Sequence, residues 1–379
     1  MKKIFIVSER RADYAKLKPI MDGIKRSRHL DYMLLVTGSH LLKKYGITIK
    51  EIQRDGYRIA ARFDMYPRRR ADTGADMSYS IGKAIMRITR LITRSKPDMI
   101  LSGFDTGADL AAAIAGAHMN IPVAHLEAGD VTGTIDEPIR HSISKFAHIH
   151  FATNRMAAER LVKMGEARKR IFTVGNPSLD AIRQVRRIPP KDLGAEFGLD
   201  MSKPYLMLLQ HSVLSELDQT VVNIESTLEA VRELGVQTLV IRSNADAGSN
   251  RIIRAMKKAG MRQVESVRFE KYVNLLSGAA ALVGNSSSGL MEAPFLRVPS
   301  VNIGTRQHRR PRAASVIDVG YDRAAIKRAI KKAMTDKRFL AKARRQRGLY
   351  GDGNSAGRII RILERIDLAK IPIQKTLTY

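Results

Sequence analysis

The chain has no cysteine and no tryptophan among its 379 residues. Without cysteine, disulfide staples and thiolate-held zinc are excluded. Aromatic residues make up only 6% and are not interleaved with basic ones, so no stacking platform for nucleic-acid bases is expected. Carboxylates are scarce: 37 Asp and Glu stand against 66 Lys and Arg, a formal net charge of +29. The excess recurs along the chain, at Arg68–Arg70, Arg168–Arg170, Arg306–Arg312 and Arg344–Arg347, and forms no single tail. That distribution favours attraction of small anionic substrates over nucleic acid as a primary partner. Long apolar runs are missing too. The first, Ile4 to Val7, meets charge at once and reads as a buried strand, not a targeting segment. No run is long enough to span a bilayer. A soluble, cytoplasmic protein without a membrane partner is expected.

What the chain does have is alternation. Ile4–Ser8, Met33–Thr37, Met99–Phe104, Val123–Glu127 and Ile149–Ala152 are short, apolar and bounded by turn residues, as buried strands are. Helical stretches lie between them: Ala15–Arg26, Ile81–Ser95 and Ala108–His118. A second series follows, with strands at Tyr205–Gln210, Thr238–Arg242, Ala280–Gly284 and Ser300–Ile303 and helices at Glu216–Glu233, Arg251–Lys258, Tyr272–Leu276 and Arg323–Met334. Alternating strands and helices make parallel βαβ units. The expectation is an α/β protein of two Rossmann-like doubly wound domains facing a central cleft. The first spans residues 1–177 and the second 178–356, with the C-terminal helix within 357–379 open to packing on either half, including back on the first. The last ten residues, Lys370–Tyr379, read as a loose tail.

In such sheets ligands bind at strand C-termini, so the loops there carry the chemistry. The segment Ile121–Ala147 holds Glu127, Asp130, Asp136, Glu137 and His141 within fifteen residues, in a chain otherwise poor in acids. Acid–base work explains this cluster. Helix capping by Thr134 and Asp136 explains part of it equally, and both readings stay open. After the first strand, Arg10, Arg11 and Lys16 lie near a helix N-terminus suited to an anion. Asp105 stands at the tip of the strand ending at Phe104, where an N-cap role is the plain alternative. His211 stands at another tip. Gly284–Gly289 and Glu292 form a serine-rich turn suited to a diphosphate, and Arg306 adds a cation after the next strand. Gly-x-Gly-x-x-Gly is absent from the first loop, and no His-x-x-x-His pair occurs. No metal and no cofactor are expected.

In these ordered motifs the chain resembles the UDP-N-acetylglucosamine 2-epimerases, in particular their hydrolysing branch. The motifs are Arg11-Ala12-Asp13-Tyr14, Thr37-Gly38-Ser39-His40-Leu41, Ala124-His125-Leu126-Glu127, Gly133-Thr134-Ile135-Asp136-Glu137 with Arg140-His141, Gly284–Gly289 and Val301-Asn302-Ile303-Gly304-Thr305-Arg306-Gln307. The resemblance spans nearly the whole chain and implies a GT-B-like fold, a nucleotide-sugar substrate and a homo-oligomer, dimer or tetramer. It implies catalytic roles for Asp105, Glu127, Asp136 and His211. It implies substrate-site roles for Arg11, Asp13 and Lys16, and nucleotide binding by Asn244, Ser286, Ser287 and Glu292. Phe104-Asp105-Thr106-Gly107-Ala108 stands where the hydrolysing pattern has Gly-Asp-Arg-x-Glu, and Thr106 is like the non-hydrolysing branch. The implied reaction is conversion of UDP-N-acetylglucosamine and water to N-acetylmannosamine and UDP through a glycal. The same chemistry on a UDP- or GDP-linked 2,4-diacetamido sugar, a non-hydrolysing epimerase and a GT-B glycosyltransferase remain alternatives.

Overall fold

The computed structural model describes residues 1–67, 72–346 and 348–379. Arg68–Arg70 and Arg347, from two of the basic clusters, lie outside the described residues. The chain forms two compact units. The first comprises Met1–Val131, Ile135–Arg183 and Tyr350–Tyr379, and the second Thr132–Thr134 and Gln184–Leu349. These divisions fall at 183 and 350, not at 177 and 356. The reason is that the helix Pro177–Arg183 packs on Arg11–Arg26 and Asn176 bonds Tyr350 within the first unit.

The first unit is built on a seven-stranded parallel sheet of β1 (Lys2–Ser8), β2 (Leu30–Val36), β3 (Ile59–Arg62), β4 (Met99–Ser102), β5 (Val123–Leu126), β6 (Ile149–Ala152) and β7 (Ile171–Thr173). Its spatial order is β3-β2-β1-β4-β5-β6-β7. The order reverses between β1 and β4, and ligands bind at such a switch point. The central strands β4, β5 and β6 are buried throughout, which explains their continuous apolar sequences. Helices α1 (Arg11–Arg26), α2 (Ile49–Arg54), α3 (Gly74–Ser95), α4 (Gly107–His118), α5 (Asp136–Phe146), α6 (Arg155–Lys163) and α7 (Pro177–Arg183) connect the strands. Thr106 caps α4 by accepting the Asp109 amide at 3.2 Å. Small residues make α4 a close-packed layer: a Cβ on Gly116 would lie 2.5 Å from Ile100.

The helix Ser355–Arg365 completes this unit. Ile359 and Leu363 join the core of Leu17, Ile20 and Ile24 from α1. Lys2 Nζ donates to the carbonyls of Leu363, Glu364 and Ile366 at 3.0, 2.9 and 2.6 Å, closing the helix end with a cation. The expectation of a loose tail fails. Ile371 is buried, Ile373 O accepts from His148 Nε2 at 3.0 Å, and Lys375 is bonded to the end of α5. Glu166 anchors this network. Burial alone would raise its pKa, but the bonds from His150 and Lys375 outweigh burial and hold it down at about 2.

The second unit has a six-stranded parallel sheet of β8 (Tyr205–Leu209), β9 (Gln237–Ile241), β10 (Gln263–Val264), β11 (Ala281–Gly284), β12 (Ser300–Ile303) and β13 (Val316–Val319). Its order is β10-β9-β8-β11-β12-β13, with the switch point between β8 and β11. The expected helix from Glu216 begins later: Leu214–Gln219 is a 3-10 segment broken at Glu216, and the α-helix runs Thr220–Glu233.

Candidate functional site

In the first unit, the tips of β4 and β5 and the starts of α1 and α5 carry Asp105, Glu127, Asp13, Lys16 and Asp136. Asp105 follows β4 and does not cap α4, because Thr106 holds that position. Its carboxylate is clasped by two guanidiniums. Arg10 donates to Oδ1 at 2.8 Å and Arg140 donates to Oδ2. Arg140 is fully buried and also reaches the Asp130 carbonyl at 3.3 Å. A carboxylate held between two guanidiniums in this way is fixed in orientation.

Glu127 follows β5 and is 2% exposed. Lys16 of α1 donates to its Oε1 at 2.6 Å, and Asn176, just past β7, donates to the same oxygen at 2.8 Å. The Lys16 ammonium also lies 4.4 Å from the Phe104 ring centre. Glu127 has a φ of +51°, in the left-handed region that non-glycine residues rarely adopt. Such an outlier, held in place by buried partners, is typical of functional loops.

Asp136 is the first residue of α5 and is half-buried. Ile135 occupies the N-cap and has no oxygen to offer. Asp136 and Glu137, in the first turn, favour the positive helix end. His141 Nε2 lies 3.8 Å from Glu137 Oε1, one turn earlier. Asp130 accepts from Thr153 at 2.7 Å.

Asp13 takes a structural place. It accepts the Arg10 amide at 2.9 Å and begins α1 as its capping acid. Burial pushes it up to about 8 against the pull of Arg10. Arg11 starts α1 and is half-exposed. Behind the loops lies a buried support layer. Asp109 accepts from the Gly103 and Phe104 amides at 2.6 and 3.2 Å, and Glu9 accepts from Tyr66 and the Ala108 amide at 3.0 and 2.8 Å. His40 and His125 belong to the same layer. Burial drives both down to about 3, so they are neutral hydrogen-bonding groups.

The second unit gathers the other expected residues at its own strand tips. His211 follows β8 and is buried; its amide and carbonyl pair with the Asn285 side chain at 2.7 and 2.9 Å. The Asn244 amide donates to His211 Nδ1 at 3.4 Å, and Asp246 lies 4.0 Å from the same nitrogen. Ser286 and Ser287 are half-buried in the loop after β11, which makes a 3-10 turn and not the start of a long helix. Arg306 and Gln307 both donate to the Asn285 carbonyl, at 3.4 and 2.9 Å. Glu292 is 8% exposed, and its Oε2 has no hydrogen-bond partner among the described residues. A buried, unmatched acceptor beside a serine loop is a place for ligand hydroxyls. Thr132–Thr134 belongs to this unit, and the Gly133 amide donates to the Arg306 carbonyl at 2.9 Å.

Sequence reasoning missed Asn176, Asp109 and Asp246 as site residues. Asn176 carried a usable signal, an Asn-Pro turn directly after a strand. Arg10 was visible as a cation beside a helix N-terminus and Arg140 as part of a motif, both without their common target.

Comparisons with known proteins bear on the family and the fold. A family model described as UDP-N-acetylglucosamine 2-epimerase matches residues 22–364. A UDP-N,N'-diacetylbacillosamine 2-epimerase (hydrolyzing) of Legionella pneumophila is 32% identical over 384 residues, covering 100% of both chains. A UDP-N-acetylglucosamine 2-epimerase of Neisseria meningitidis is 35% identical over 344 residues, 90% of each chain. Among solved structures, a UDP-GlcNAc 2-epimerase from Neisseria meningitidis bound to UDP-GlcNAc superposes with a TM-score of 0.80 at 19% identity, covering 95% of this chain and 99% of that one.

Proposed function

Because this chain belongs to the UDP-N-acetylglucosamine 2-epimerase family, we propose that it is the hydrolysing kind, acting on UDP-N-acetylglucosamine through a glycal. The C2 proton of an N-acetylhexosamine is not acidic. It can leave only if the C1–O bond breaks with it, so that the C2–H electrons form the C1–C2 double bond and UDP departs with the C1–O pair. This step needs a carboxylate base, anionic groups facing an oxocarbenium-like centre, and cations or donors on the diphosphate. Reprotonation at C2 from the opposite face inverts that carbon. Water then adds its hydroxyl at C1, which gives the free N-acetylmannosamine.

The observation that supports this reading best is Glu127. It is buried, held in a rare backbone conformation, and fixed by Lys16 and Asn176. Asp136, half-buried at the start of α5, is assigned the proton exchange at C2. Asp105, clasped by two guanidiniums, is assigned the standing negative charge. Nucleotide binding is assigned to the second unit. Ser286, Ser287 and Arg306 serve the diphosphate, Glu292 Oε2 accepts from ribose hydroxyls, and His211 donates from Nε2 to the departing oxygen.

A second substrate, the UDP-linked 2,4-diacetamido sugar, has its own support. The Legionella relative named for that sugar matches from end to end, and Thr106 replaces the arginine that follows the catalytic Asp in the common hydrolysing pattern. Proton NMR in D2O with each nucleotide sugar tests both. The expected result is free 2-epimerised sugar, UDP and deuterium at C2. A 2-epimer that keeps its nucleotide would show the non-hydrolysing reaction instead, and no deuterium at C2 would refute the glycal route.

A further inference from the structure

The stretch after Lys370 is expected to be loose as a terminal segment, yet its Lys375 is among the most heavily bonded side chains of the first unit. The ammonium donates to the carbonyls of Ser144, Lys145 and Ala147 at 3.0, 3.0 and 2.5 Å and lies 2.6 Å from Glu166 Oε2. Ser144 and Lys145 are in the last turn of α5, and Ala147 is its C-cap. The end of that helix thus receives a half-buried cation where its unsatisfied carbonyls and dipole call for one. Glu166 extends the grip. It also takes His150 Nε2 of β6 at 3.0 Å and Lys145 at 3.2 Å. Next to it, Ile373 O accepts from His148.

The other end of α5 carries the chemistry. Asp136 is its first residue, and Arg140, one turn in, holds Asp105. An eleven-residue helix is a stiff rod, so a shift at its C-terminus is a shift of those groups. We propose that Lys375 is a positioning residue, and that the C-terminal segment is a strap fixing the register of α5 so that Asp136 and the Arg140–Asp105 pair face the reacting carbon correctly. This rests on the function proposed above.

The test compares Lys375→Met, which keeps the aliphatic stem, Lys375→Arg, which keeps the cation, and a chain lacking residues 374–379. Lys375→Met and the truncation should lower kcat about tenfold or more, as small misplacements of catalytic groups do. KM for the nucleotide sugar and UDP affinity by calorimetry should stay unchanged, because the nucleotide residues are in the other unit. Lys375→Arg should recover most of the rate. A wild-type kcat in Lys375→Met overturns the proposal, and so does a parallel loss of kcat, UDP affinity and thermal stability, which marks general damage. Hydrogen exchange gives a reading independent of turnover. Amides of residues 137–146 should exchange at least several-fold faster in Lys375→Met and the truncation. Unchanged exchange overturns the strap even if wild type turns over none of the nucleotide sugars tried. Faster exchange with no wild-type turnover would retain the strap and remove the reaction assigned to it.

Discussion

The clasp on Asp105 can be broken from one side with a known cost. Arg140→Met removes a guanidinium that is fully buried and leaves a carboxylate whose side chain is 13% exposed. Two unit charges about 4 Å apart interact by roughly 4 kcal/mol at an effective dielectric of about 20. Breaking a buried pair by deleting one partner costs about 3–5 kcal/mol, because the survivor remains desolvated. Arg10 stays 2.8 Å from Asp105 and shares the load, so about 3 kcal/mol, the lower end of that range, is expected for the first unit. Urea unfolding followed by a probe in that unit would read it, since two units need not melt together. Asp105→Asn removes the charge and keeps the shape. In the double variant the loss should be smaller than the sum by about 1–3 kcal/mol, the coupling typical of residues in direct contact. Arg140→Lys keeps the charge but loses the fork, and should recover only part. A loss below about 1 kcal/mol in Arg140→Met, or additive effects in the cycle, would refute the clasp as a stabilising and orienting device.

Asp136→Asn should lower kcat by about 10²–10⁴-fold with little change in melting temperature, as loss of a general acid–base group does. Glu127→Gln should lower both, because Glu127 is also the buried partner of Lys16; a fast Asp136→Asn enzyme would end the acid–base assignment. Ser286→Ala combined with Ser287→Ala should weaken UDP binding about tenfold or more, each charge-assisted hydrogen bond contributing about 1.5–3 kcal/mol, and calorimetry showing wild-type affinity would refute their role. His40 and His125 stay neutral down to about pH 3 in the fold, whereas in the unfolded chain they take up protons below about 6.5. Their contribution is therefore complete above 6.5 and shrinks as pH falls, by about 1.4 kcal/mol per pH unit for each imidazole. Asp13 and Asp109, raised by burial to about 8 and about 6, act with the opposite sign, so wild type alone hides the effect. The difference between wild type and His125→Asn, measured at pH 6 and pH 4.5, should change by about 2 kcal/mol, and a constant difference would contradict a neutral buried imidazole.

The buried strands could be read from the sequence because burial on both faces leaves an unbroken apolar run with turn residues at each end. The strands that could not, β3, β7, β10 and β13, are two to four residues long, and none of their residues is buried. Their sequences carry no more apolar signal than a loop. Strand-tip position was enough to single out Asp105, Glu127 and His211. It could not reveal what holds them. Arg10 and Asp105 are 95 residues apart and Asn176 and Glu127 are 49 apart, and such pairings leave no local periodicity. The left-handed backbone at Glu127 was equally silent, since glycine usually announces that conformation. Asp13 shows the reverse case, a residue picked by motif whose carboxylate is engaged in starting its own helix. The tail was misjudged because terminal position alone says nothing of a lysine that finds a helix end, or of Ile371 finding the core.

The first unit is not finished when its first 183 residues have been made. Its α1 face of Leu17, Ile20 and Ile24 is covered by Ile359 and Leu363, and Gly23 brings that helix so close that a Cβ would sit 2.5 Å from Ile360. During synthesis this face must wait while residues 184–349 emerge, about 10–30 s at elongation rates of about 5–20 residues per second. The second unit, continuous apart from three residues, has its own sheet complete within that interval. The order of folding on the ribosome is thus inverted relative to the order of the sequence, and the nascent N-terminal half is a natural client for chaperones until the last helix arrives.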